Sequence, residues 1–333
     1  MADLADDDLS HQHLEPLAGT PQLQDVGAVG VGFDDARQRA ALAKGRDVAN
    51  RLNLFEHSGS LVRHRLWLPV SRACLISYSG VMEPLYTPVI WIARALFAGQ
   101  GLKFTIMGAE NIPTSGGAVL VSNHLSYFDF AYAGLVACPR KRLVRFMAKD
   151  DVFRHKISGP LMRGMHHIPV DRTAGAASFR EAVGALKAGE IVGVFPEATI
   201  SRSFELKAFK SGAVRMAQAA GVPVLPMIIW GSQRVWTKGH PKRLGRTNVP
   251  ITLSVGEPIV AGQQDSANDI NRQLRARMTD LLHAAQASYP AVPTGELKYL
   301  PARLGGLAPT LEQATALDEE EAAARAARRA SEG

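Results

Sequence analysis

Short apolar runs alternate with amphipathic stretches from residue 102 to residue 286. Apolar runs bounded by Gly, Pro or Asn predict buried strands, and apolar residues at helical spacing predict helices. The strands are predicted at 102–108, 117–123, 143–148, 166–170, 190–195, 223–229 and 250–255, and the helices at 127–137, 174–187, 207–220 and 266–286. This alternation predicts an α/β fold over residues 82–286: a single domain with a mixed, mostly parallel sheet flanked by helices.

The segments on either side of this domain lack such a pattern. Residues 1–81 are polar and rich in Asp, Gly and Gln, which predicts a poorly ordered extension. Because the organised sequence begins at Met82, one hypothesis is that residues 1–81 lie upstream of the true start. Residues 287–333 form a Pro- and Gly-rich tail and then a tract of Ala, Glu and Arg, which is either a solvated helix or disordered.

The apolar stretch 85–98 precedes the first predicted strand. Its 14 residues are fewer than the roughly 20 that a helix needs to cross a bilayer. Tyr86, Trp91 and Arg94 suit a membrane interface, which predicts an N-terminal membrane-interacting helix, with a buried core helix as the alternative. No other stretch is long enough to span a bilayer, so we expect a peripheral or monotopic protein at the cytoplasmic face of the cell membrane.

Positive charge is concentrated in the middle of the chain. Residues 61–311 hold 30 of the 38 Lys and Arg residues but 15 of the 31 Asp and Glu residues, a local net charge of +15. This balance favours a polyanionic partner: an anionic membrane surface, which Lys141, Arg142 and Arg145 would contact, or a phosphorylated substrate. Nucleic acid is not expected, because no nucleic-acid module is present and the basic residues are not interleaved with aromatics.

The two cysteines, Cys74 and Cys138, indicate neither a metal site nor a disulfide framework. Neither lies beside a His or in a Cys-x-x-Cys pair, so we predict no metal and a reducing compartment. The adjacent His166 and His167 are interpreted as structural, because neighbouring strand residues face opposite ways and do not readily share a metal.

The segment from Asn123 to Asp129 carries the first candidate chemistry. It joins a predicted strand to a predicted helix, where side chains of α/β folds face the crevice beyond the strand. Asp129 can accept a hydrogen bond from one nitrogen of His124, so that the other nitrogen removes a proton from an alcohol. The alternative is structural, with Asp129 as a helix-start acid and His124 as a hydrogen-bonded loop residue.

Two further strand ends carry charged residues. Arg172 lies just after the predicted strand 166–170. Its guanidinium either binds a phosphate through two parallel hydrogen bonds or forms a surface ion pair. Glu197 follows the apolar strand 190–195 and is either a substrate-binding carboxylate or a cap for nearby backbone N–H groups. Arg202, Lys207 and Lys210 concentrate positive charge beside it, whereas the prolines of the segment 222–226 shape a strand.

Together these segments resemble the 1-acylglycerol-3-phosphate acyltransferase family, the glycerophospholipid acyltransferases. That family carries an Asn-His-x4-Asp block, a Gly-x-Ile-x-x-x-Arg-like block, a Phe-Pro-Glu-Gly-Thr-Arg-Ser block and a Val-Pro-x-x-Pro block. This chain supplies them in the same order at 123–129, 168–172, 195–201 and 222–226, and residues 147–149 resemble the family's lysine-bearing block. The likeness covers roughly residues 82–260.

The resemblance implies roles for individual residues. His124 would be the general base and Asp129 its orienting partner, so that an acceptor hydroxyl attacks an acyl thioester with no acyl-enzyme. Lys149 and Arg172 would hold the acceptor phosphate, and Glu197 would help to order the acceptor. The predicted substrate-binding residues taken from these blocks are Asn123, Lys149, Arg172, Glu197, Thr199 and Arg202. No cofactor is implied, since acyl-CoA or acyl carrier protein is a co-substrate.

Two residues depart from the family pattern in the third block. Ala198 stands where the family has Gly, and Ile200 stands where it has an Arg that contacts phosphate. Either Arg202 replaces that guanidinium, or the acceptor has a larger or differently placed head group.

The resemblance therefore implies transfer of a fatty acyl group from a thioester to the free hydroxyl of lysophosphatidate in phospholipid synthesis. Glycerol 3-phosphate, a lysophospholipid or a glycolipid is an alternative acceptor. A non-catalytic lipid-binding protein on the same fold is the alternative from another class, but such a protein has no need of a general base.

Overall fold

The computed structural model describes residues 83–171 and 175–332. The predictions for residues 1–81 and for Arg172 therefore lie outside the described residues. The strands are β1 Lys103–Met107, β2 Ala118–Ser122, β3 Val144–Lys149, β4 Ile168–Val170, β5 Ile191–Val194, β6 Val224–Trp230 and β7 Pro250–Val255. The α-helices are α1 Tyr86–Gly99, α2 Asp129–Leu135, α3 Asp150–Arg154, α4 Ser158–Gly164, α5 Gly175–Lys187, α6 Gly212–Ala220, α7 Ala267–Ala287 and α8 Leu311–Glu332.

The strands form one seven-stranded sheet in the order β1-β7-β6-β2-β5-β3-β4. Every neighbouring pair is parallel except β6 with β7. The carboxyl ends of β2, β5 and β3 therefore share one edge of the sheet, which is where α/β folds place their ligands. The mixed, mostly parallel sheet flanked by helices is confirmed.

The central strand β2 separates two halves of the hydrophobic core. Successive strand side chains point to opposite faces, so Val119 and Val121 pack on one side and Ala118 and Leu120 on the other. The first side is covered by apolar residues of α5, α6 and α7. The second side is covered by residues of α1 and α2, among them Phe97. Burial on both faces explains why β2 is a continuous apolar run in the sequence.

The structure differs from the sequence-based elements in three places. The helix predicted over 207–220 begins only at Gly212, because the preceding segment runs back beside the end of β5, where the Lys210 N–H bonds to the Pro196 carbonyl at 3.1 Å. Helices α3 and α4 were not predicted, since five and seven residues are too few to display a helical period. The tract at the C-terminus is helical, and α8 begins before it, at Leu311.

Helix α1 combines both interpretations of the stretch 85–98. Tyr86 and Phe97 are buried, and the Tyr86 hydroxyl donates to the Val144 carbonyl at 2.8 Å. Trp91, Ile92 and Leu96 are between 56% and 62% exposed, an unusual exposure for large apolar side chains on one helix. Membrane contact remains a prediction for this surface. Within residues 83–171 and 175–332, no helix combines the length and apolar character needed to cross a bilayer.

Two of the three basic residues assigned to lipid contact have other partners. Arg145 is 4% exposed and is paired with Glu83 and Glu190. The Arg142 guanidinium donates to backbone carbonyls, including that of Gly116 at 2.9 Å. The expectation of membrane contact is therefore wrong for Arg145, whose guanidinium is buried against the protein's own carboxylates. For the partly exposed Arg142 it remains a prediction.

Candidate active site

The loop between β2 and α2 holds His124 and Asp129 in direct contact. The Asp129 carboxylate is fully buried, and its Oδ2 accepts the backbone N–H groups of Leu125 at 2.5 Å and Ser126 at 2.7 Å. The same oxygen lies 3.0 Å from His124 Nδ1. Because this oxygen already accepts two hydrogen bonds, Nδ1 is the donor and Nε2 carries the free lone pair. The geometry therefore selects one tautomer of His124.

Asn123 fastens the start of this loop to the neighbouring strand β6. Its Nδ2 donates to the Ile229 carbonyl at 3.0 Å, and its Oδ1 accepts the Ile229 N–H at 2.8 Å. The side chain is fully buried. We therefore place Asn123 among the residues that hold the loop rather than among those that contact a substrate, which corrects the sequence-based assignment.

The remainder of the loop is held by the segment after β6. Trp236 accepts two hydrogen bonds at its carbonyl, from the Ser126 hydroxyl at 2.8 Å and from the Tyr127 N–H at 3.1 Å. The Thr237 hydroxyl donates to the Leu125 carbonyl at 2.6 Å. Neither Trp236 nor Thr237 belongs to a sequence block described above, so their contribution was not predicted. Their function is to fix the backbone that presents His124.

Phe195, at the exit of β5, positions the imidazole of His124 from one side. The two rings stack with centroids 4.4 Å apart and an angle of 26° between their planes. The Ser201 N–H donates to the His124 carbonyl at 2.8 Å. The side chain of His124 is 22% exposed, so it remains accessible to a ligand.

Glu197 is the buried carboxyl group of this region. The side chain is 6% exposed, and the backbone N–H groups of His124 and Lys207 lie near its carboxylate. Burial raises the pKa of Glu197 to about 8, although the Lys207 ammonium opposes this shift. The carboxyl group is therefore mostly protonated at neutral pH. The nearby backbone N–H groups of His124 and Lys207 lower this pKa, as expected if Glu197 caps backbone donors, and the side chain is not exposed to solvent.

Thr199 and Arg202 lie beside the C-terminal helix α8. The Lys207 ammonium donates to the Thr199 hydroxyl at 2.7 Å and pairs with Asp318 at 2.5 Å. Arg202 pairs with Asp318 at 3.2 Å and with Glu321 at 2.9 Å. Arg202 was predicted to hold the acceptor phosphate, but in this structure its guanidinium is engaged by the protein's own carboxylates.

Lys149 ends β3 and is 43% exposed, with its ammonium paired to Asp151 in the first turn of α3. Strand β5 lies between β3 and β2. The backbone at Lys149 is therefore about two strand spacings, roughly 10 Å, from the end of β2, which His124 follows. The structure thus places Lys149 on the His124 edge of the sheet, but not in contact with His124.

Comparison with known proteins identifies the family. A family model described as Acyltransferase matches residues 103–230. The 1-acyl-sn-glycerol-3-phosphate acyltransferase of Bacillus subtilis is 31% identical over 182 residues, which cover 54% of this chain and 83% of that protein. The chain belongs to the 1-acylglycerol-3-phosphate acyltransferase family. It is an acyltransferase.

A second relative matches over a shorter part of its length, and a solved structure has the same fold. The enzyme of the same name from Limnanthes douglasii is 34% identical over 175 residues, which cover 51% of this chain and 57% of that protein. Among solved structures, the lysophosphatidate acyltransferase PlsC from Thermotoga maritima has the same fold, with a TM-score of 0.50 and 21% identity. The match covers 66% of this chain and 89% of that one.

The structure gives a physical account of both departures from the family's third block. Ala198 has a φ of +61°, in the left-handed region that costs a residue with a Cβ about 1–2 kcal/mol. The glycine of the acyltransferase family has no such cost at this position. Ile200 is 6% exposed, so its side chain points into the protein. This position therefore has a buried apolar side chain and no guanidinium.

No group of three or more His, Cys, Asp or Glu side chains is arranged to hold a metal ion in residues 83–171 or 175–332. The absence of a metal from the reaction remains a prediction.

Proposed function

We propose that this acyltransferase transfers a fatty acyl group from an acyl thioester to the free hydroxyl of lysophosphatidate, with His124 as the general base. The observation that carries the proposal is the contact between His124 Nδ1 and the buried Asp129 Oδ2, at 3.0 Å. The proposed acceptor follows the printed names of the relatives from Bacillus subtilis and Limnanthes douglasii. Either acyl-CoA or acyl carrier protein supplies the thioester.

The reaction needs one proton to move twice. The acceptor hydroxyl oxygen attacks the thioester carbonyl carbon while Nε2 of His124 removes the hydroxyl proton. The tetrahedral intermediate then expels the thiolate, which takes the proton back from the imidazolium and leaves as a free thiol. The ester bond forms and the thioester bond breaks without an acyl-enzyme, so no Ser or Cys nucleophile is required.

Asp129 supports this cycle in two ways. Its hydrogen bond with Nδ1 selects the tautomer of the neutral ring that has its free lone pair on Nε2, and it stabilises the positive charge that the ring acquires during the reaction. The two backbone N–H groups of Leu125 and Ser126 fix the carboxylate, so that it does not rotate towards other donors. The imidazole is thereby oriented before the substrate arrives, which removes an entropic part of the barrier.

The protein is proposed to work as a peripheral or monotopic protein at the cytoplasmic face of the membrane, because its acceptor is a lipid. Trp91, Ile92 and Leu96 of α1 supply an exposed apolar surface for the bilayer. Trp91 has the amphipathic ring that the lipid–water interface favours. Lys149 and Arg172 remain the proposed ligands of the acceptor phosphate.

A different phosphate-containing acceptor is the second candidate. The observation that favours it is the buried Ile200, which takes the place of a phosphate-binding Arg of the family. A head group placed elsewhere in the site would not need that guanidinium.

Product analysis distinguishes these acceptors. Full-length enzyme is offered lysophosphatidate, glycerol 3-phosphate and lysophosphatidylcholine in parallel, each with acyl-CoA or acyl carrier protein thioester, and the lipid products are identified by mass spectrometry. The proposal expects phosphatidate as the main product. A main product made from one of the other acceptors would replace the proposed substrate, and the absence of any acyl product would overturn the proposed function.

A further inference from the structure

Three cations converge on two carboxylates of helix α8. Arg202, Lys207 and Lys238 are between 13% and 20% exposed, and all three pair with Asp318, at 3.2, 2.5 and 2.7 Å. Arg202 and Lys238 also pair with Glu321, at 2.9 and 2.5 Å. We call these three residues the cation trio. Such partly buried cations are costly to leave unpaired, so this arrangement requires an anion at its centre.

The cation trio adjoins the loop that carries His124. Arg202 follows Ser201, whose N–H bonds to the His124 carbonyl, and Lys238 follows Thr237, whose hydroxyl bonds to the Leu125 carbonyl. The third cation, Lys207, bonds to Thr199 in the same block as Glu197. Each member of the trio therefore lies next to a residue of the candidate site rather than on a remote surface.

Among the described residues, the side-chain hydrogen bonds and ion pairs that join helix α8 to the rest of the fold run through these three cations. Ala314, Asp318 and Glu321 are spaced by four and three residues, which places them on one face of the helix. Of the α8 side chains that the structure describes, only Ala314 is buried. A helix held by so little apolar surface can be released when its charged contacts are taken by another anion.

The charge on the two carboxylates matches that of a phosphate monoester. Hydrogen bonding to Lys238, together with Arg202, lowers the pKa of Glu321 to about 2, and bonds to Lys207 and Lys238 lower the pKa of Asp318 against the effect of burial. Both are therefore ionised near pH 7, when a phosphate monoester carries a charge of about −1.5 to −2. If a phosphate monoester replaces the two carboxylates beside the cation trio, the net charge of the cluster stays nearly unchanged.

We propose that Arg202, Lys207 and Lys238 form an anion subsite for a phosphate monoester, and that Asp318 and Glu321 occupy this subsite as an internal substitute when no ligand is bound. In this arrangement α8 is an autoinhibitory segment, since it competes with the ligand for the same cations. The identification of the ligand as the acceptor's phosphate rests on the proposed function, whereas the competition itself does not. The subsite also offers positive charge to an enzyme in which Ile200 replaces the family's Arg.

Paired substitutions on one helix test the competition. In full-length protein, Asp318→Asn with Glu321→Gln removes the two docked charges, whereas Glu319→Gln with Glu320→Gln removes two exposed charges from the same helix. Binding of inorganic phosphate is measured by calorimetry at constant ionic strength. An internal competitor weakens the apparent affinity for phosphate in inverse proportion to the fraction of time that the subsite is free, which is tenfold if that fraction is about one tenth. We therefore expect about tenfold tighter phosphate binding in the first variant and unchanged binding in the second.

Hydrogen exchange of residues 311–325 provides a readout that is independent of activity. In wild-type protein, phosphate should accelerate exchange in this segment, and the Asp318→Asn and Glu321→Gln double variant should exchange fast without phosphate. The single variant Glu321→Gln keeps Asp318, and its exchange rate should lie between those of the wild type and the double variant. This single variant is used if the double variant does not fold. Unchanged phosphate affinity together with slow, phosphate-insensitive exchange in these variants would overturn the proposal.

The source of the phosphate is resolved by the choice of probe. Phosphatidylcholine vesicles containing lysophosphatidate should release α8, whereas vesicles containing lysophosphatidylcholine, a phosphodiester, should not. If inorganic phosphate releases α8 but lysophosphatidate vesicles do not, the subsite binds a soluble phosphate and not the phosphate of the acceptor. Release of α8 without any acyl transfer to lysophosphatidate would refute the proposed function and leave the competition standing.

Discussion

Ser201 and His124 are joined by a backbone hydrogen bond of 2.8 Å, from the Ser201 N–H to the His124 carbonyl. The bond links the segment after β5 to the segment after β2, and these two strands are parallel neighbours in the sheet. The turn that contains Glu197 and Ala198 is thus joined by a main-chain hydrogen bond to His124, the proposed general base. We therefore expect a substitution in this turn to shift the imidazole of His124 even when the changed residue does not contact it.

The role of His124 predicts a large loss of activity with little loss of stability. His124→Ala removes the proposed base, which should lower the rate of acyl transfer about 10²–10⁴-fold. The side chain is partly exposed and packs on one face against Phe195, so its truncation should leave the fold intact. Initial rates with a saturating thioester and thermal unfolding of the same samples measure the two effects. The matched control is His283→Ala on the exposed side of α7, which should retain wild-type rates.

A His124→Ala enzyme that transfers acyl groups at the wild-type rate would exclude the general-base mechanism. A variant that loses activity only because it unfolds would be recognised from its melting curve.

The buried Glu197 predicts an unusual dependence of stability on pH. The folded state holds the Glu197 pKa at about 8, well above the unfolded value near 4.5, so the folded protein binds one more proton between these two values. The contribution of Glu197 to the free energy of unfolding is therefore fully present below the unfolded pKa of 4.5. It is lost as the pH rises through the folded pKa of about 8. Glu197→Gln removes the ionisation and should be more stable than wild type at pH 8, by about 4 kcal/mol.

Urea unfolding from pH 5 to pH 8 measures this difference. Glu257→Gln removes an exposed carboxylate and should reproduce the pH dependence of the wild-type protein. If Glu197→Gln and wild type show parallel stability curves over this range, the carboxyl group is not held protonated in the folded state.

The left-handed backbone of Ala198 predicts a stabilising substitution. Ala198→Gly restores the family residue at a φ of +61° and should raise the free energy of unfolding by about 0.5–1 kcal/mol. Ala208→Gly is the control, because Ala208 is exposed in the same region and does not have a positive φ. There the added freedom of the unfolded chain should lower stability slightly. Equal shifts in the two variants would show that Ala198 is not strained.

The sequence was sufficient to predict the sheet and the neighbourhood of His124. Buried strands such as Ala118–Ser122 are apolar on both faces, and His124 and Asp129 are close in sequence, so local pattern carries the information. The pairing with Asp129 needed no tertiary contact to be anticipated, because the helix that begins at Asp129 follows the loop directly.

The contacts that the sequence did not predict join segments that are far apart along the chain. Asp318 and Glu321 lie in a polar helix with no apolar stripe, so nothing in their own surroundings indicates that Arg202 and Lys238 are their partners. Asn123 was placed with the substrate ligands, since its bonds to Ile229 arise only once β6 lies beside β2. A family block records which residues are retained, not whether they contact the ligand or the backbone.

The exposed apolar surface of α1 yields the last prediction. Trp91 and Leu96 are 56% and 61% exposed, and complete burial of such side chains in an apolar environment is worth about 1.5–3 kcal/mol each. Replacing both with Ser should therefore weaken binding to anionic phospholipid vesicles by at least tenfold in a sedimentation assay. Val260→Ser and Leu307→Ser, at positions 81% and 73% exposed outside α1, should bind as wild type does. If all these variants sediment equally with vesicles, α1 does not contribute to membrane binding, and the enzyme must reach its lipid acceptor through another surface.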